Sequence, residues 1–142
     1  MGILSVASTA SVWRGYEYFT QKKVLSFKKL NADEYEGEVA GSSGTPYHVK
    51  INAAHVRSSK CNCPHADGRR IICKHMVALY FTAFPKEADA YIAEVEAYER
   101  EQEEYEREQE RLRQERYEAL KKYVLSLSKK ELQEQLLEAL LR

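Results

Sequence analysis

The chain has 142 residues, and its 22 Lys+Arg are balanced by 22 Asp+Glu, a size that fits one compact domain with an appendage better than two full domains. No window approaches the ~18 consecutive apolar residues of a membrane span, and the opening Gly2-Ile3-Leu4-Ser5-Val6-Ala7-Ser8 lacks the basic start and apolar core of a secretory signal. The neutral total hides a division: residues 1–85 carry 11 basic against 6 acidic side chains, and residues 86–142 carry 11 against 16. A basic half suited to an anionic ligand therefore precedes an acidic one.

In chain order, residues 1–12 are small, apolar or hydroxylic and read as a loosely ordered lead-in to a domain over 13–85. The aromatic-dense Trp13-Arg14-Gly15-Tyr16-Glu17-Tyr18-Phe19 reads as a short helical turn or an extended segment. Three strand-like runs follow: Val24-Leu25-Ser26-Phe27, closed by Asn31-Ala32-Asp33; Tyr35-Glu36-Gly37-Glu38-Val39, closed by Gly41-Ser42-Ser43-Gly44; and the alternating Tyr47-His48-Val49-Lys50-Ile51. Short Gly- and Asn-containing turns make these an antiparallel meander, with Tyr35, Val39, Tyr47, Val49 and Ile51 on one face.

After the sheet comes Cys61-Asn62-Cys63-Pro64, then Cys73-Lys74-His75 after nine intervening residues. On an extended strand, positions i and i+2 project to the same side, so Cys61 and Cys63 can chelate one ion together. Cys73 and His75 flank the first turn of a short apolar helix, Met76 to Phe84, stopped by Pro85. Three thiolates and one imidazole complete a tetrahedral shell for one structural Zn2+, with no cysteine left over. A reducing compartment follows, the cytoplasm or, in a eukaryote, the nucleus. The competing reading makes the cysteines small core residues with one disulfide, which leaves Cys alternating with polar residues at 58–62 unexplained. His65 and Asp67 are competing ligands in the loop; His48 and His55 read as histidines without a chemical role. Four protein ligands leave no position for water or substrate, and no catalytic constellation is legible, so neither an enzyme nor a small-molecule site is expected.

Lys60, Arg69, Arg70 and Lys74 crowd the ligands, and such positive charge favours thiolates. With Lys22, Lys23, Lys28 and Lys29 around the first strand, they are candidate phosphate contacts for DNA or another nucleic acid. The plainer alternative is that these side chains only solvate a small sheet.

Residues 86–142 read as a helical extension. A long charged helix over 86–125 carries Glu96/Arg100 and Glu103/Arg107 as i,i+4 pairs. Tyr91, Tyr98, Tyr105 and Leu112 recur every seven residues, but the companion row Val95, Gln102, Gln109 and Arg116 is mostly polar, so the stripe is thin. A terminal amphipathic helix starts at Ser128 with Glu131 as a capping box and presents Leu132, Leu136, Leu137, Leu140 and Leu141. Through these helices the chain is expected to fold back, self-associate or dock on a protein partner, and no membrane partner is expected.

The ligand pattern resembles the SWIM zinc finger, Cys-x-Cys followed by a variable spacer and Cys-x-His. Arg14-Gly15-Tyr16-Glu17-Tyr18-Phe19 with Lys23-Val24 is similar to the family's Arg-Gly-x-x-Tyr-Tyr segment, departing only at Phe19. Gly44-Thr45-Pro46-Tyr47-x-Val49-x-Ile51 resembles its third strand, Ser58 to Pro64 its ligand strand, and Cys73-Lys74-His75 with the apolar helix its end, so the likeness covers about residues 13–84. The tail Leu125 to Leu132 is similar to segments that follow this finger in bacterial relatives. The resemblance implies a ββα-type zinc module in cytoplasmic or nuclear proteins that handle nucleic acid, beside helicase-like ATPases, in transposases and in recombination factors. In those settings it is taken as a DNA-binding or protein-interaction module. The expected fold is therefore α+β: a small antiparallel three-stranded sheet, a zinc-bound ligand strand and a short helix, followed by the two C-terminal helices.

Overall fold

The computed structural model describes residues 2–142. Two helices open it, α1 (Ile3–Val6) and α2 (Thr9–Thr20), where a loosely ordered lead-in was expected. Their order has a tertiary source: Ile3 and Val12 are buried in the core, and the Ser8 hydroxyl caps α2 by accepting from the Ser11 N–H at 3.1 Å. Trp13 to Phe19, read as a short turn or an extended segment, belongs to α2. The helix ends with Lys22 in the left-handed region at φ 57, whose N–H reaches the Phe19 carbonyl at 3.1 Å.

The sheet is antiparallel in the order β1 (Val24–Lys29), β2 (Glu34–Val39), β3 (Tyr47–Asn52), β4 (Lys60–Cys61). Alternation along β2 and β3 buries Tyr35, Val39, Val49 and Ile51 and leaves Tyr47 half-buried. The register of β1 shifts between Val24 and Ser26, a bulge that places Leu25 outside the ladder, 57% exposed. The ligand strand joins the sheet as its fourth member through Val49↔Cys61 and Lys50↔Lys60.

Helix α3 (Lys74–Ala83) packs on the buried face of the sheet, with Met76, Val77, Leu79 and Phe81 wholly enclosed. Its other side meets α2 at a close crossing. A Cβ added at Gly15 would lie 2.4 Å from the Val77 Cβ and 2.9 Å from the Lys74 carbonyl oxygen. Gly15→Ala gains up to ~1 kcal/mol of helix propensity but overpacks the crossing by about 1–3 kcal/mol. The expected outcome is a net loss of stability in urea melts; an unchanged midpoint would show that Val77 can yield.

Helix α3 stops before Pro85, and this proline opens α4 (Pro85–Ser126) as its first residue, where its missing N–H is not needed. The chain divides into two compact units, one running through Ala93 and one from Glu94 to Arg142. In the first, Ala88 is buried and Tyr91 stacks on Phe81 with centroids 5.6 Å apart. In the second, α4 continues as an exposed helix, and α5 (Lys129–Leu141) starts at the Ser128/Glu131 capping box with its leucines exposed. The expected pairs Glu96/Arg100 and Glu103/Arg107 are not among the ion pairs of the described residues. Instead Arg111 bridges Glu108 (2.6 Å) and Glu115, and Arg113 reaches Glu110 (3.2 Å). An exposed pair gains little over solvation, so an arginine that reaches two carboxylates at once is the better-held arrangement.

Candidate metal centre

Cys61, Cys63, Cys73 and His75 come from three local structures that converge under the sheet edge. Strand β4 presents Cys61 inward and is pinned at two points. The Asn62 side-chain oxygen accepts from the His48 N–H at 2.9 Å, and the buried Ser59 hydroxyl accepts from the Asn52 N–H at 3.0 Å. Cys63 opens a tight turn whose carbonyl accepts from the N–H groups of Ala66 (3.1 Å) and Asp67 (2.9 Å), and Gly68 at φ 72 lets the loop reverse. Cys73 is the N-cap of α3, which places His75 in the first turn.

All four residues are buried, and their ligand atoms lie within 4.8 Å of one another. The His75 Nδ1 is 3.8 Å from both the Cys61 and Cys73 sulfurs. A tetrahedral ion with Zn–S of about 2.3 Å and Zn–N of about 2.1 Å has S···N edges of about 3.6 Å, so the cradle fits zinc. The imidazole is wedged between Tyr47 and Tyr18, centroids 4.8 and 5.5 Å away, and its Nε2 is buried without a hydrogen-bond partner. That environment holds the ring in place with Nδ1 facing the thiols.

The protonation of the metal-free cluster also calls for a cation. The Cys61 thiol donates to Cys73, and this bond, with help from His75 and the Met76 N–H, lowers the Cys73 pKa to about 4 against the opposing effect of burial. The same bond, with burial, pushes Cys61 far up, and burial pushes Cys63 up. Burial and mutual repulsion work against three thiolates side by side, and a divalent ion is what allows them to sit together. The donor set, its burial and its spacing are those of one structural zinc.

The structure brings only some of the sequence-predicted residues together. His65 and Asp67 are exposed and outside the four-residue cluster; His48 lies on the sheet surface 3.7 Å from Glu36. Lys60, Arg69 and Arg70 line one open depression of about 660 Å³ together with Arg57, which sequence reading passed over. Lys74 borders a cleft of about 350 Å³ beside Cys63, Cys73 and His75, shared with Arg14 and His65. Lys23 and Lys74 both sit over the Tyr18 ring, at 4.7 and 4.9 Å. Lys22 follows the end of α2, and Lys28 and Lys29 lie on β1, the sheet edge opposite β4, so the eight cations are not one patch. Arg14, Arg57, Tyr18 and Tyr47 are the site neighbours that the sequence alone did not single out for this role.

Residues 47–84, from the start of β3 through the end of α3, match the family model of the SWIM zinc finger. No curated protein and no solved structure matches the chain.

Proposed function

We propose, from the match of residues 47–84 to the SWIM zinc finger family model, that the chain is a non-enzymatic module, held rigid by its zinc, that grips the phosphate backbone of DNA or another nucleic acid. The observation that supports this reading is the depression where Arg57, Lys60, Arg69 and Arg70 converge with no carboxylate in its lining. Lys74 and Arg14 extend the positive charge toward the cluster. Guanidinium groups match phosphate oxygens in bidentate geometry, and backbone contacts carry no sequence information, so binding is expected to be largely sequence-independent. Four protein ligands that fill a tetrahedral shell support a structural rather than a catalytic ion. Reduced thiols in the cluster accord with the cytoplasm, or the nucleus in a eukaryote.

Titration of labelled duplex against the full chain tests this. About four phosphate contacts give a salt slope near −3.6, so affinity should fall roughly 10²-fold between 50 and 200 mM salt. Arg69→Glu with Arg70→Glu should abolish binding, while Lys28→Ala with Lys29→Ala should leave it nearly unchanged. Absence of binding at low salt, or an affinity indifferent to salt, would overturn the reading.

A second reading, a protein-interaction adaptor, is favoured by the leucines of α5, among them Leu137, Leu140 and Leu141 at 60, 73 and 85% exposed.

A further inference from the structure

Beyond Ala93, α4 carries an apolar stripe that nothing in its own unit covers. Tyr98, Tyr105, Leu112, Leu120 and Tyr123 are 45–64% exposed. At 100° per residue all five fall on one side of the helix, over about 38 Å. Single exposed apolar residues are ordinary, but five in a line on one solvated helix, interrupted by Gln102, Gln109 and Arg116, make a thin seam rather than a scatter.

The charges beside the stripe select its occupant. Residues 94–110 hold nine Glu against two Arg, and residues 111–126 hold five Lys+Arg against two Glu. A parallel partner in register would set the glutamates against one another. An antiparallel copy sets the acidic half against the basic half, and one two-fold axis satisfies several pairings at once. Tyr98 with Tyr123, Tyr105 with Arg116 and Glu106 with Arg113 are all centred near residue 110. The first two pairs lie on the stripe; the third lies on one flank of it. Where two acids would meet on the opposite flank, Glu108 and Glu115, each is already held by Arg111 of its own helix.

We propose that the exposed part of α4 is an isologous, antiparallel docking surface for a second copy of this chain, with apolar contacts along the stripe and complementary charge setting the direction. A partner of uniform charge would answer only half of the helix; a second copy answers both halves.

Sedimentation equilibrium of the full chain over a micromolar concentration series tests this, with zinc content and helix content as controls. The wild type should be a dimer. Leu112→Glu, next to the axis where its two copies come close together, should weaken association at least 100-fold with zinc and helix content unchanged. Arg113→Glu should weaken it at least tenfold, and Glu106→Arg added to it should restore the dimer. A monomeric wild type, or a dimer indifferent to Leu112→Glu, overturns the proposal. A dimer that is lost with Leu112→Glu but indifferent to Arg113→Glu overturns its antiparallel direction, since in a parallel pair Arg113 faces only its own copy.

Discussion

Chelation of zinc, or Cys73→Ser, is expected to unfold the chain through α3 while much of α4 and all of α5 remain helical. Structural zinc supplies about 10–16 kcal/mol of folding free energy in small modules, and whole domains are stable by only about 5–15 kcal/mol. The ion therefore exceeds or matches the margin that holds this fold. Its four ligands tie β4, the loop after it and the start of α3 into one piece. Without the ion, those segments would bury three sulfurs and an imidazole with no cation to hold them together.

Cys73 is the most damaging single position. It is a ligand, it occupies the N-cap position of α3, and its carbonyl accepts from the Val77 N–H at 3.2 Å. A serine hydroxyl is a far poorer zinc ligand than a thiolate. Near-UV circular dichroism should lose the signal of the aromatic cluster around Phe81. Far-UV ellipticity should fall by roughly the share of α2 and α3, since α4 beyond Ala93 belongs to a separate compact unit. A chelated protein with unchanged melting temperature would contradict the structural role.

What could be read from the sequence divides along physical lines. The ligand set was legible because Cys-x-Cys and Cys-x-His are spacings that a strand and a helix start convert directly into one cradle. The faces of β2 and β3 were legible from strict alternation, and α5 from its capping box. Helices α1 and α2 were not: Ile3 to Ala10 interleaves its Leu and Ala with Ser, Thr and β-branched residues in runs too short to be helical alone, and what orders them is burial of Ile3 and Val12 and the close approach of Gly15 to α3. The eight-cation surface also divided. The meander puts β1 at one edge, but no local pattern announces that β4 joins the sheet at the other, so Lys28 and Lys29 stand apart from Lys60. Arg57 joins Arg69 and Arg70 only because the loop between Cys63 and Cys73 returns beside the turn at Val56–Ser58.

Phe81→Ala should be the most destabilising change away from the metal. Phe81 is fully buried, and its ring meets Tyr16 edge-on at 6.0 Å, Phe19 at 6.0 Å and Tyr91 at 5.6 Å. It therefore joins α2, α3 and the first turns of α4 in one aromatic pile. Truncating a buried phenylalanine costs about 3–5 kcal/mol, the transfer energy of the ring plus the cavity it leaves. In a unit of this size, each kcal/mol lowers Tm by about 4–8 °C, so the zinc-loaded protein should melt more than about 10 °C lower. The ligands sit at the other end of α3, so the variant should still bind one zinc per chain below its melting temperature. Tyr91 loses its stacking partner, and hydrogen exchange of α4 amides before Ala93 should accelerate while those beyond Glu94 stay as in the wild type. A loss below about 1 kcal/mol would mean that the neighbouring rings close over the gap, and that zinc rather than the aromatic pile holds α2 to α3.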